Sequence, residues 1–425
     1  MSLSRDLLVP ARRLPVLYIS FAHASLLLAA AVVASDPVSV TGYFYHPLML
    51  GVVHLVTLGW ISASILGVIF IVGPLALRMP MPVGRLDYWA FALYAIGVSG
   101  IVSHFWLEEY SGMAWSAAMV VVAVGQVAGR VLRQLVRAQI PLAVRLHIGL
   151  ACINFLVAGT LGVVIGADRE FEVLGGSAIA NVYAHAHLAG VGWATLMVVG
   201  VSYRLLPMVL PAAMPEGIRI VASVVFVQVG VLGLFLTLLL GGQAGLISAL
   251  LTAAGVATFL ANAVWMRRHP RPAPPARPRP DWSVLHALQA LVYLLIAVGI
   301  GLVLVVTPTA TWTARLAMAY GAVALIGFLA QIVVGMEQRI LPLFQWHTLF
   351  KASGFAVQPP SPHTMGSQPM RAAVFCLWTV GVPVLVVGLS IESATLVGVG
   401  GWVLLVAVAL HTVSTFRTLR QALSG

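Results

Sequence analysis

Histidines are the residues of this sequence best suited to chemistry. Twelve of them occur in a chain of 425 residues, of which 60% are hydrophobic and only 8% are charged. An ionisable side chain within an apolar segment is costly and therefore marks a candidate functional site. Imidazole is also the commonest metal ligand and a standard axial ligand of heme iron. The sequence thus predicts that some of these histidines bind a metal or a heme.

The composition excludes a water-soluble globule, because a soluble domain has about 25% charged residues. The formal net charge is +11, but the arginines stand between apolar runs, which fits membrane topology rather than nucleic-acid binding. The two cysteines, Cys152 and Cys376, both lie within apolar runs. They form no CxxC pair and no CxxCH heme-attachment motif, so any heme is bound non-covalently.

Apolar runs long enough to cross a bilayer, about 20 residues each, divide the whole chain. The sequence predicts an all-α integral membrane protein, a single transmembrane domain over 1–425, with twelve helices. Their approximate ranges are 14–35, 46–77, 86–106, 112–136, 142–167, 178–208, 217–240, 243–267, 282–306, 313–343, 371–390 and 394–416.

The segments between these runs alternate in charge: segments that contain arginines alternate with segments that are acidic or neutral. By the positive-inside rule, both termini are expected in the cytoplasm, as in a multi-pass protein of a bacterial-type inner membrane. The Pro/Arg-rich stretch 268–281 is expected to link spans and to fix topology.

Two helices carry the same motif. His54 begins HLVTLGW in the second helix, and His187 begins HLAGVGW in the sixth, 133 residues later. A weaker copy begins at Ala322 in the tenth helix, a further 135 residues on. We therefore predict three pseudo-repeated four-helix arcs, approximately 1–137, 138–267 and 282–425, with the linker before the third. The first helix of each arc has one histidine in what we take to be equivalent places: His23, His147 and His286.

Five histidines are expected in the outer half of the membrane by this orientation: His46, His54, His104, His185 and His187. His185 and His187 are two residues apart, so their side chains point about 200° apart on a helix and cannot ligate one iron together. His46 and His54 lie within about 80° on one helix face.

Twelve helices in three arcs, with histidines on helices 2 and 6, resemble subunit I of the heme-copper oxidase superfamily. The phrases HLVTLGW and HAHLAGVGW are similar to those of divergent relatives of the C-family (cbb-type) oxidase and nitric oxide reductase large subunits. NnrS, a twelve-helix heme protein linked to nitric oxide, is the second family that the chain resembles. Two departures stand out: Ala322 replaces a histidine on helix 10, and helix 7 has no histidine.

The resemblance implies one b-type heme, or two. We expect His54 and His187 to be the axial ligands of one low-spin heme, with His46 as the alternative to His54. His185 would bind a second heme or metal, with an open iron position or with His46 or His104 completing the coordination. The open alternative is that His185 donates to a backbone carbonyl or an outer-loop carboxylate. Copper at the usual oxidase site is not expected, which disfavours oxygen reduction; a rearranged copper site that uses His46, His104 or His185 is the open alternative.

The expected function is electron transfer from a quinol or a periplasmic redox protein, or nitric oxide-related redox chemistry, within the bilayer and with or without partner subunits. Whether the chain is itself an oxidoreductase subunit stays open at this point. The alternatives are a transporter or channel with a histidine-lined path, and a metal- or heme-handling assembly factor.

Four further residues are candidates for a quinol site or a proton path: Glu337, His23, His147 and His286. The alternative for the histidines is a structural role, and for Glu337 an ion pair with Arg339 at the inner interface. His411 is expected at that interface, and His269, His347 and His363 in contact with water.

Overall fold

The computed structural model describes residues 8–274 and 276–424, the side chains of 421–424 excepted. The start of the first predicted repeat and one proline of the linker lie outside the described residues. The described part is helical and has no β-strand, only an isolated bridge between Ala212 and Pro270.

Twelve helices in the described part are long and apolar enough to cross a membrane, which confirms the predicted all-α, multi-pass architecture. We number them α1 Arg13–Ser35, α2 Pro47–Leu75, α3 Arg85–Leu107, α4 Met113–Arg137, α5 Leu142–Phe171, α6 Ala178–Val209, α7 Ile218–Leu240, α8 Gly245–Arg268, α9 Trp282–Val306, α10 Thr311–Ala352, α11 Gln368–Ser390 and α12 Ala394–Arg420.

Helix α10 extends well beyond its predicted end near residue 343. It continues through Pro342 to Ala352, and Phe344, Gln345 and Thr348 on this extension are buried. Proline removes one backbone hydrogen bond and strains a helix, but burial of one face of the following turns stabilises the continuation. His347 consequently lies on a helix and not in a loop.

The chain forms two compact units. The first comprises Met1–Val83, Pro272–Ala297 and Ala310–Gly425, and the second comprises Gly84–Arg271 and Val298–Thr309. In the first unit, α1 packs against α2 and α12, and α12 also packs against α10 and α11. In the second, α5 packs against α4, α6 and α7, and α7 packs against α8. The predicted repeat boundaries stay a prediction.

Three spans change from α-helix to π-helix at corresponding places. The π segments are Leu55–Ser62 in α2, Leu188–Thr195 in α6 and Val323–Ala330 in α10. They begin directly after His54, His187 and Ala322, and thus at the same 133- and 135-residue spacings as the sequence motif. π-Helical turns are rare and frequently occur at functional sites.

Glycines recur at these same spacings where two helices approach closely. A Cβ on Gly200 would lie 2.4 Å from Cβ of His147, and one on Gly335 would lie 2.7 Å from Cβ of His286. The matching glycine of α2, Gly67, faces Tyr18 at 2.9 Å. Tyr18 is therefore the counterpart of His147 and His286. The expectation that His23 is their equivalent is wrong, because His23 lies five residues further along α1.

Substitution of Gly200 by alanine tests this close approach. The added Cβ would overlap His147, and overpacking of this kind costs about 1–3 kcal/mol, so we expect a lower thermal unfolding midpoint in detergent. Gly321→Ala is the matched control, since a Cβ there meets nothing within 4 Å and alanine favours a helix by up to about 1 kcal/mol. Equal midpoints for the two variants would contradict the packing described.

Candidate metal and cofactor sites

His54 and His187 are held in the same way by their own helices. Nδ1 of His54 lies 2.7 Å from the carbonyl oxygen of Leu50, and Nδ1 of His187 lies 2.8 Å from that of Tyr183. A carbonyl oxygen only accepts, so Nδ1 carries the hydrogen in both rings and Nε2 carries the lone pair. This is the tautomer in which histidine ligates a metal through Nε2, with the other nitrogen donating to a carbonyl.

Open space lies at one glycine of the motif that begins at His187. Both His54 and His187 are half-buried, and a Cβ on Gly190, one turn from His187, would meet nothing within 4 Å. Two other glycines of the motif differ. A Cβ on Gly59 would lie 2.4 Å from Cβ of Ser25, and one on Gly192 would lie 3.0 Å from the side-chain nitrogen of Asn154. These two glycines serve helix packing, while Gly190 faces open space.

His185 lies against α5. Its Nδ1 is 2.9 Å from the carbonyl oxygen of Ala158, and its ring covers Gly162, where a Cβ would lie 3.0 Å from Cε1. The contact fits the sequence alternative in which His185 donates to a backbone carbonyl. His187 bonds within its own helix, so the two rings engage different partners.

His46 and His104 serve helix ends. His46 is exposed and caps α2, where its Nδ1 accepts a hydrogen bond from the backbone N–H of Leu48 at 3.3 Å. His104 donates from Nδ1 to the carbonyl oxygen of Glu109 just beyond α3. A neutral His46 that accepts through Nδ1 has its hydrogen on Nε2. Cofactor binding by these two residues stays a prediction.

Two further candidates, His147 and His286, lie in separate polar networks. Nδ1 of His147 is 2.7 Å from the carbonyl oxygen of Ala143, and its Nε2 is 3.2 Å from Oγ of Ser223. Ser223 is in turn bonded to the hydroxyl of Tyr203. In the other unit, Nδ1 of His286 lies 3.4 Å from the amide nitrogen of Gln331. Each network joins neighbouring helices.

Glu337, His23 and His411 form a buried cluster. One carboxylate oxygen, Oε2, lies 3.1 Å from Nε2 of His23 and 3.1 Å from Nε2 of His411. The other oxygen accepts a hydrogen bond from Ser64 at 3.2 Å. His23 is 0% exposed, Glu337 1% and His411 2%. The structure thus brings together two of the four predicted proton or quinol residues and adds His411.

His411 was missed because it was expected at the membrane interface. The signal lay in the spacing of the buried residues of α12, which follow a helical period and include Leu404, Val408, His411 and Thr415. The predicted ion pair between Glu337 and Arg339 is also wrong. Arg339 points to Asp281 instead, because two residues along a helix face nearly opposite directions.

Asp281, just before α9, is the centre of a third polar group. It forms ion pairs with Arg277 and Arg339, and Arg339 also donates to Nδ1 of His363. Burial pushes the pKa of Asp281 upward, but the two guanidinium groups outweigh burial and hold it below its ordinary value. Burial, with the charge of Arg339, lowers the pKa of His363.

No known protein family matches the chain, and no curated protein matches it.

The Asp281 group gives a pH dependence of stability. A histidine whose pKa is lowered in the folded protein binds a proton more readily in the unfolded state. Its contribution to folding stability is therefore complete above its unfolded pKa of about 6.5 and declines below that pH. The contribution of Asp281 is present above about pH 3.9 and is lost as pH falls through its lower folded pKa.

We therefore expect His363→Gln to flatten the fall in thermal midpoint between about pH 7 and 5. Asp281→Asn should lower the midpoint at pH 7 and flatten its fall below about pH 4. Midpoints measured across this range check both variants. Curves parallel to that of the unchanged protein would contradict the assignment.

Proposed function

We propose that this chain is a heme b-binding membrane protein of electron transfer, with His54 and His187 as axial ligands. The observation that supports the proposal most is the identical setting of the two rings. Each stands at the junction of an α-helix with a π segment, and each has Nδ1 bonded to the carbonyl four residues earlier.

The residues fit a heme in three respects. Both rings have the tautomer in which histidine binds iron through Nε2. They lie in apolar helices, and open space lies at Gly190, three residues after His187 in α6. A heme bound here would supply a one-electron redox centre.

The chain itself sets the orientation and surroundings of each ligand. The hydrogen bond from Nδ1 to the carbonyl restrains ring rotation and makes Nε2 more basic, as outer partners of metal-binding histidines do. The π segment changes the direction in which the following side chains point relative to the ring.

The location and partners follow from charge and chemistry. The alternation of arginine-bearing segments supports a bacterial-type inner membrane with both termini in the cytoplasm. An electron carrier in that place takes electrons from a quinol within the bilayer or from a periplasmic redox protein. The absence of histidine from α7 argues against the usual oxidase copper site, and so favours electron transfer or nitric oxide chemistry over oxygen reduction.

Replacing either ligand tests the proposal. We expect the purified protein to show a Soret band and sharp reduced α and β bands, and His54→Ala or His187→Ala to abolish or convert a low-spin signal. His269→Ala is the matched control, because His269 makes the same Nδ1–carbonyl bond at 2.8 Å but is exposed at the end of α8. Its spectrum should be unchanged.

The type of spectral change in these variants distinguishes one iron shared by both histidines from two separate irons. If one iron takes both, as the sequence predicts, either variant turns that heme high-spin. If each histidine serves its own iron, each variant removes only part of the signal. A colourless protein, isolated from cells supplied with heme, would refute the proposal.

A further inference from the structure

A second kind of site lies within the first unit, independent of the heme ligands. Glu337 of α10 faces His23 of α1 and His411 of α12, and the three ligand atoms all lie within 4.8 Å of one another. Its partners are two imidazoles and the hydroxyl of Ser64; within the described residues no lysine or arginine forms an ion pair with it.

This set of ligands selects a class of ion. Two imidazole nitrogens and one carboxylate oxygen are the donors of catalytic zinc sites and of the 2-His-1-carboxylate sites of non-heme iron. A divalent cation would neutralise the buried carboxylate, which is otherwise expensive inside a membrane protein. We propose that Nε2 of His23, Nε2 of His411 and the carboxylate of Glu337 bind one divalent transition-metal ion, zinc or iron(II).

The next shell of side chains suits this role. To bind a metal through Nε2, His23 must carry its hydrogen on Nδ1, and Oγ1 of Thr412 is 2.9 Å from that nitrogen and can accept it. Such outer hydrogen bonds orient metal-binding histidines. Ser64 holds the second carboxylate oxygen at 3.2 Å, so that Oε2 is the oxygen directed at the two rings.

Trp60 provides an independent observation. Its indole packs against both rings, with centroids 5.1 Å from that of His23 and 6.2 Å from that of His411. The side chain is 0% exposed, and its Nε1–H has no hydrogen-bond partner in the part of the chain that the structure describes. Three protein ligands leave a metal coordination position for water or a small molecule. A metal-bound water or anion would give this buried donor a partner.

Metal analysis of the full chain tests the site. The protein is purified without a polyhistidine tag or chelator, its metal content is measured by mass spectrometry, and metal-depleted protein is titrated with Zn²⁺ and with Co²⁺ as a spectroscopic probe. We expect one equivalent of metal, with X-ray absorption showing two imidazoles and oxygen. Glu337→Gln and His411→Ala should weaken Zn²⁺ binding at least about 100-fold.

His147→Gln is the matched control, because His147 is equally buried but contacts a serine and no carboxylate. It should bind metal as the unchanged protein does. Failure of the unchanged protein to bind Zn²⁺, Co²⁺ or Fe²⁺ would overturn the proposal, as would unchanged affinity in Glu337→Gln. If these variants do not fold, the X-ray absorption spectrum of the unchanged protein decides, and a metal without imidazole ligands overturns it.

The heme proposal and the metal-site proposal are tested by different measurements. Pyridine hemochrome analysis reports heme alone, and mass spectrometry after removal of heme reports the other metal. Glu337→Gln should lose the non-heme metal and keep the heme spectrum.

Discussion

A carboxylate buried among apolar helices is the constraint on which the first unit depends. Glu337 of α10 is bonded to residues of three other helices: His23 of α1, Ser64 of α2 and His411 of α12. Removing one partner of a buried ionic group typically costs about 3–5 kcal/mol, because a charge is left without compensation. The relative positions of these four helices are therefore coupled to the side chains around one carboxylate, and the same coupling suits a metal ion.

Five histidines of the chain fall into three groups by the partners of their ring nitrogens. In His147, Nδ1 bonds to Ala143 of its own helix and Nε2 to Ser223 of α7, so the ring links two helices. In His23 and His411 the Nε2 atoms converge on one carboxylate. His54 and His187 share a third arrangement, with Nδ1 tied to the helix at a π segment. These histidines, which composition alone cannot distinguish, therefore occupy three different environments.

The number of spans and their approximate ranges could be predicted because hydropathy and length are local properties. Two of the π segments directly follow His54 and His187 and so share their 133-residue spacing, but neither hydropathy nor spacing predicts π-helix. The Glu337 cluster could not be predicted, since it depends on α1, α10 and α12 being neighbours. Likewise, matching histidines by residue type paired His23 with His147, whereas the helix contacts pair Tyr18 with His147. The end of α10 was misplaced because burial of Phe344 and Thr348 overrides Pro342.

The most direct test of the proposed heme ligands and metal site is a high-resolution cryo-electron microscopy map of the full chain, purified without chelator from cells supplied with heme. The account predicts planar macrocycle density at the Nε2 atoms of His54 and His187. It also predicts a single ion-sized peak between His23, His411 and Glu337, and none at His147. A map with ordered helices, no macrocycle at either histidine and Glu337 bonded directly to both imidazoles would contradict it.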